Sequence, residues 1–257
     1  MADLAPERDL FVLSVSAAAY LALAFWIFYI ALEPHARRVW PETMIGWSRL
    51  LAGRLRDPLV GRDILIGALA GIVLGLVIQL DRASPAWFGL PPPPPASTSA
   101  YLLLGGRHAL SDLGSWQVGA VGIGVVSLLL LFFLNVLLRG RRIAAAAMIL
   151  VMTIPPGPHP LLPGVNPIFD LVFRGLWAAG IVFVFVRFGL LATIVSVFVD
   201  FSTTLAPITF DPSVPYVASS YLIVGTVLAL AAYGFHTALA GRPVFGAGFL
   251  KDEPART

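Results

Sequence analysis

The sequence contains no cysteine and little charge, and these two absences exclude several classes of protein. Without cysteine there can be no disulfide bond and no thiolate metal site. Charged residues make up 12% of the 257 residues, whereas 58% are hydrophobic; a soluble domain has about 25% charged residues. The composition therefore excludes a solvated basic domain for nucleic-acid binding and is typical of a membrane protein.

Motifs of the common enzyme classes are absent as well. The sequence has no His-Glu-x-x-His motif, no Gly-x-Ser-x-Gly nucleophile elbow and no phosphate-binding Walker loop. Its four histidines, His35, His108, His159 and His236, lack the spacing of metal ligands. We predict a protein that is not an enzyme and that needs no cofactor or metal.

Long hydrophobic runs take the place of such motifs. A helix rises about 1.5 Å per residue, so crossing about 30 Å of hydrocarbon takes about 20 residues. Seven runs approach this length: 10–32, 64–80, 118–138, 143–162, 168–186, 188–207 and 218–240. We predict a single all-α membrane domain, 1–257, with about seven transmembrane helices, the first of them a retained helix and not a signal peptide.

The distribution of basic residues predicts the orientation of the chain. If the amino terminus is outside, thirteen lysines and arginines fall on the cytoplasmic side and four on the outer side. Cytoplasmic loops carry the excess of such residues. We therefore expect a multi-pass protein of the bacterial inner membrane, with the amino terminus outside and a cytoplasmic tail at 241–257.

Segment 33–63, which we call the coupling segment, carries six of the sixteen arginines. Apolar residues recur every three or four positions in it and predict an amphipathic helix in the cytoplasmic interface, which would bind the bilayer and its anionic headgroups. The alternative is a soluble amphipathic helix. The candidate interface residues are Arg37, Arg38, Trp40, Trp47, Arg49, Arg54 and Arg56, and the apolar stripe also includes Met44, Leu51 and Leu55.

Two patterns predict how particular runs behave. Gly67, Gly71 and Gly75 are four residues apart and predict close packing of a second helix from this chain or a second copy, although glycine is also common in membrane helices. In the fourth run, prolines from Pro155 onward predict that the helix ends near Ile154, leaving about 18 Å of helix. Irregular chain would follow, as the cap or lining of an outward-facing cavity.

The longest outer loop is predicted at 81–117. Five prolines at 91–95 form a polyproline II spacer of about 15 Å, for which the alternative is a ligand for an aromatic groove. The apolar residues between 101 and 116 predict a short re-entrant or surface helix.

Few ionisable residues fall inside the hydrophobic runs, and such residues are candidates for function because their burial is costly. Asp170 and Arg174 are four residues apart and predict a salt bridge, favoured over a ligand site. Arg187 is expected to reach the cytoplasmic surface at a turn. Asp200 is expected to cap a helix break before Pro207.

Several stretches resemble the membrane-embedded carboxyl-terminal region of a group of bacterial serine/threonine protein kinases. They include Ala31-Leu-Glu-Pro, Trp40-Pro-Glu-Thr and Arg56-Asp-Pro-Leu-Val-Gly-Arg-Asp63, then Val186-Arg-Phe-Gly-Leu-Leu-Ala192 and Ala238-Leu-Ala-Gly-Arg-Pro-Val-Phe-Gly246. The resemblance implies sensing or anchoring in the membrane. No catalytic residue of the kinases has a counterpart here, so kinase activity is not implied.

Two hypotheses of function follow. The first is a non-catalytic module that anchors or senses for a signalling protein, or associates with a second copy, through the coupling segment. The alternative is a small-solute transporter or channel that uses the proline-broken fourth helix with Asp170, Arg174 and Asp200. An intramembrane enzyme is a third reading, but the sequence pairs no nucleophile with a base.

Overall fold

The computed structural model describes residues 41–89, 106–154 and 167–240, and eight single positions between 15 and 30. Those eight residues are helical and exposed. The described part is all-helical, with seven helices: α1 (Pro41–Leu51), α2 (Pro58–Trp87), α3 (Gly106–Leu138), α4 (Arg141–Thr153), α5 (Pro167–Phe188), α6 (Leu190–Thr204) and α7 (Val217–Ala238). The predicted fold class is confirmed for these residues.

The ends of several helices follow from local chemistry. The Asp57 carboxylate accepts a hydrogen bond from the Leu59 N–H at 2.9 Å, and Pro58 follows this cap, so α2 begins there. α4 ends at Thr153, one residue before the predicted position and two before the first proline. Gly189 alone separates α5 from α6. Its φ of 93° is a conformation that favours glycine.

Four helices are long and apolar enough to cross a bilayer: α2, α3, α5 and α7. The seven predicted crossings are not confirmed. α4 has 13 residues and α6 has 15, so they measure about 20 and about 22 Å. The run predicted at 10–32 falls mostly outside the described residues, as do the polyproline spacer, segment 155–166 and the tail.

Two helices extend beyond the predicted runs, and the outer loop is shorter than predicted. α2 continues past Leu80 to Trp87. Residues 106–117, which were predicted to belong to the outer loop and to a separate short helix, are the first turns of α3. Polar residues at both places led the prediction to end the runs too early, since helices continue beyond the hydrocarbon whenever protein contacts support them.

The short helix α6 occupies the centre of the bundle. Thirteen of its fifteen side chains are buried, and α2, α3 and α5 surround it with their own buried residues. Its hydroxyl groups do not need external partners. Thr193, Ser196, Ser202, Thr203 and Thr204 each donate to a backbone carbonyl three or four residues earlier. A helix with many polar residues can therefore lie in an apolar core.

The glycine face of α2 lies against α6, and the two helices are parallel. A methyl group added at Gly67 would lie 2.6 Å from the Ala192 carbonyl oxygen, and one added at Gly71 would lie 2.5 Å from that of Ser196. At Gly75 it would lie 2.5 Å from the Thr203 hydroxyl. The partner of this face is thus a helix of the same chain, and only glycine permits such a close approach.

Candidate functional site

Charged residues separate to the two ends of the bundle. One end, which we call the basic end, is formed by α1, the start of α2, the α3–α4 and α5–α6 turns and the end of α7. It holds eight arginines and three acidic residues. The other end, the acidic end, carries three arginines and five aspartates in its helices and connections. The arginines of the basic end are Arg49, Arg54, Arg56, Arg62, Arg139, Arg141, Arg142 and Arg187; all but the half-buried Arg49 are exposed.

At the basic end, α1 is seated on the start of the central helix. Met44 is buried, and a side chain at Gly189 would collide with the Thr43 backbone. Gly46 lies against Asp63 of α2 and Leu191 of α6. The Tyr233 hydroxyl on α7 donates to the Leu55 carbonyl oxygen at 2.5 Å. The coupling segment therefore contacts α2, α6 and α7.

The predicted apolar stripe of the coupling segment divides into two parts. Met44 is buried and Trp47 packs against the core, whereas the side chains of Leu51 and Leu55 are about half exposed. Leu55 follows the end of α1 and is not part of the helix. The surface left at the basic end combines these two leucines with exposed arginines, as an interfacial element requires.

The predicted interface residues lie in different environments. Arg49 donates to the Asp57 carboxylate at 2.6 Å and so stabilises the cap of α2. Arg54 and Arg56 are exposed in the turn between α1 and α2. Arg187 is exposed next to the Phe188 ring. Arg37, Arg38 and Trp40 lie outside the described residues.

At the acidic end, buried polar side chains from three helices, together with the half-buried Arg82, form what we call the polar cluster. Its members are Asp81 and Arg82 on α2, Asp170, Arg174 and Trp177 on α5, and Asp200 on α6. The predicted salt bridge is present, because Arg174 Nε donates to Asp170 Oδ2 at 2.8 Å with both side chains buried. The pair is thus enclosed by protein.

The prediction for Asp200 is wrong. The residue does not cap a helix break, because α6 continues to Thr204 and the Asp200 side chain is inside the bundle. Its Oδ2 accepts a hydrogen bond from Trp177 Nε1 at 3.0 Å, and its Oδ1 has no hydrogen-bond partner among the described residues. Arg82 Nη1 donates to the Thr204 carbonyl oxygen at 3.0 Å, beside the end of α6.

Sequence reasoning missed Asp81, Arg82 and Trp177 as members of this cluster. Asp81 and Arg82 were placed in a solvated outer loop because they follow a charge-free run. The Asp81 side chain is instead 6% exposed and lies within electrostatic reach of Asp170 and Arg174. The available signal was helical spacing: Arg82 lies seven residues, about two turns, after Gly75, on the glycine face that was recognised, and Asp81 precedes it.

The comparisons with known proteins give no match to a family model, a curated protein or a solved structure. Functional proposals therefore depend on the geometry of the two ends.

Proposed function

We propose that the chain is a non-catalytic membrane module that anchors or senses for a signalling protein, with the coupling segment as its cytoplasmic contact surface. The observation that supports this proposal most directly is the packing of α1 on the first residues of the central helix α6. A partner that displaced α1 would act on Thr43 and Gly46, and through them on Gly189 and Leu191. A force at the surface would therefore reach the core of the bundle.

The charge distribution supports the cytoplasmic placement of that surface. The exposed arginines of the described residues concentrate at one end of the four long apolar helices. Lysine and arginine accumulate on the cytoplasmic side of bacterial inner-membrane proteins. Together with Leu51 and Leu55, these arginines suit anionic headgroups and an acidic protein surface. The resemblance to the membrane region of bacterial serine/threonine kinases agrees with this function.

The orientation can be tested by cysteine labelling in whole cells, because the chain has no cysteine of its own. Ala52 at the basic end and Ser213 at the acidic end are both exposed. A cysteine at Ser213 should react with an impermeant maleimide, and a cysteine at Ala52 should react only after permeabilisation. The reverse result would place the coupling segment outside and contradict the proposal.

The coupling itself can be tested by reversing charges at Arg54 and Arg56. Both side chains are exposed, so Arg54→Glu with Arg56→Glu should leave folding intact and abolish recovery of the partner by crosslinking from position 52. A matched control reverses Arg139 and Arg142, which are exposed at the same end outside the coupling segment. Unchanged insertion, orientation and partner recovery in the Arg54 and Arg56 variant would refute the proposal.

A transporter or channel is the second candidate, and the polar cluster is the observation that favours it. Buried ionisable residues from α2, α5 and α6 meet at one end of the bundle, and such residues mark ion and substrate pathways in membrane proteins. Solute flux in proteoliposomes that is lost in Asp200→Asn would support this function. Sealed vesicles without flux, combined with partner recovery from the basic end, would exclude it.

A further inference from the structure

The polar cluster holds one more negative charge than positive charge. Its carboxylates are Asp81, Asp170 and Asp200, and its guanidinium groups are Arg82 and Arg174. The Asp170 charge is neutralised by Arg174 at 2.8 Å. Arg82 is therefore left to balance both Asp81 and Asp200, and one carboxylate in excess remains.

Asp200 is the carboxylate least able to carry this excess charge. Asp81 Oδ1 also lacks a hydrogen-bond partner among the described residues, but the Asp81 side chain is 6% exposed and lies within electrostatic reach of both Arg82 and Arg174. The side chain is fully buried, and its Oδ1 has no hydrogen-bond partner among the described residues. Its one hydrogen bond among the described residues comes from the neutral Trp177 N–H at 3.0 Å. An isolated carboxylate in such surroundings carries a large desolvation penalty even after the protein relaxes. A proton on the carboxyl group removes that penalty.

Neighbouring hydroxyl groups do not relieve the charge. Ser202 donates to the Phe198 carbonyl oxygen at 2.8 Å, and Thr204 donates to that of Asp200 itself at 2.7 Å. Both are directed at the backbone and away from Oδ1. The unsatisfied oxygen of Asp200 is therefore a consequence of how α6 satisfies its own polar groups.

We propose that Asp200 binds one proton on Oδ1 and is a neutral carboxylic acid in this conformation of the bundle. The proposal stands independently of both functions considered above. It assigns a proton-binding site to a residue that the sequence presented as a helix cap.

A proton fits this site better than a metal ion. No group of three or more histidine, aspartate or glutamate side chains in the described ranges converges as metal ligands do. Hard cations such as Ca²⁺ take six to eight oxygen ligands, whereas Asp200 offers one free oxygen with no accessible surface. A single proton needs no further ligand.

Charged and titratable groups face this region from each neighbouring helix, and Arg82 is the one placed to exchange with the proton. Its Nη1 binds the Thr204 carbonyl oxygen, and its Nε has no hydrogen-bond partner in the described part of the chain. Movement of the guanidinium group toward Asp200 would supply the positive charge and release the proton. The remaining groups are Asp81 on α2, Asp170 and Arg174 on α5, His108 and Asp112 on α3, and Tyr221 on α7, while α1 has its charges at the opposite end.

Infrared difference spectroscopy of the full chain in lipid nanodiscs tests the proposal, with the aspartates labelled by ¹³C. At about neutral pH, the wild type should show the C=O band of a buried carboxylic acid, which Asp200→Asn should abolish. Asp211→Asn is the matched control. Asp211 is exposed at the same end and should contribute no carboxylic acid band in the wild type, so this variant should leave the Asp200 band unchanged. Trp177→Phe should shift the Asp200 band without abolishing it, since the N–H donor to Oδ2 is lost. This second variant tests the assignment if Asp200→Asn does not fold.

Three results would overturn the proposal. The first is the absence of a carboxylic acid band in the wild type. The second is a band that persists in Asp200→Asn and disappears in Asp81→Asn, which would place the proton on α2. The third is a band that appears only when sodium is removed, which would make the site a cation site.

Discussion

The basic end and the acidic end of the bundle differ in how far their charged side chains are exposed to the surface. At the basic end, seven of eight arginines are exposed, and the two resolved acidic partners, Asp57 and Asp63, lie beside arginine side chains. At the acidic end, Asp81, Asp170, Arg174 and Asp200 are all buried. Solvated charges act over the surface, on lipid and on other proteins, whereas buried charges must be neutralised inside the fold.

Under the two proposals above, this difference assigns a separate role to each end. The exposed arginines suit orientation and contact with a partner, which is where the coupling segment lies. The buried charges suit a site that responds to a proton. The central helix α6 connects them, because its first residues support α1 and its last turns carry Asp200.

The largest effect is expected from breaking one ion pair at each end. Arg174→Ala would leave Asp170 buried without its guanidinium partner, at a cost of about 3–5 kcal/mol in the free energy of unfolding. Arg49→Ala at the basic end removes a partner that is 37% exposed, and we expect a loss of about 0.2–1 kcal/mol. Equilibrium unfolding of both variants in the same detergent measures the difference between the two losses in the free energy of unfolding. Equal losses would show that burial does not distinguish the two ends.

A smaller loss of stability is expected from changes at the contact between α2 and α6, the helix that connects the two ends. Gly71→Ala places a methyl group 2.5 Å from the Ser196 carbonyl oxygen, and overpacking of this kind costs about 1–3 kcal/mol. Gly225→Ala is the matched control, because nothing lies within 4 Å of a methyl group at that position of α7. The control should be as stable as the wild type or more stable. A thermal melt that drops equally in both variants would disprove close packing of α2 on α6.

The smallest changes in stability are expected from replacing the carboxylates at the surfaces of the two ends. Burial acts to raise the pKa of Asp57, but the Leu59 N–H and Arg49 outweigh it and hold the pKa below the ordinary 3.8. A lowered pKa stabilises the fold above the unfolded pKa, and this contribution disappears as the pH falls through the folded pKa. Asp57→Ala should therefore cost about 0.5–2 kcal/mol near neutral pH, as for other helix caps, and little in strong acid.

Asp211 provides the comparison at the acidic end. The Ser213 hydroxyl and N–H lower the pKa of this exposed carboxyl group as well. It caps no helix, so Asp211→Ala should change stability less than Asp57→Ala at every pH. Unfolding curves of the two variants, measured across the acid range, compare their losses of stability. A larger loss in Asp211→Ala would contradict the assignment of Asp57 as the cap of α2.

Local patterns in the sequence were sufficient for several features. The prolines after Ile154 predicted the end of α4, since proline cannot continue a helix. Spacing of four residues predicted the Asp170–Arg174 pair, which lies on one helix and needs no tertiary information. The hydrophobic runs predicted long apolar helices, although four such helices, and not seven, are long enough to span a bilayer.

The tertiary structure alone decided which helix is central and which polar groups meet. Hydropathy did not distinguish α6 from its neighbours, because lipid and protein interiors are equally apolar environments for a side chain. Trp177 and Asp200 lie on consecutive helices, and their hydrogen bond depends on the packing of α5 against α6. Asp81 comes from the distant helix α2 and reaches Asp170 and Arg174 because α2 packs on both helices. The sequence by itself therefore determined an all-helical chain with segregated charge. Packing decided that the Asp200 carboxyl group would be fully buried with one oxygen lacking a hydrogen-bond partner among the described residues.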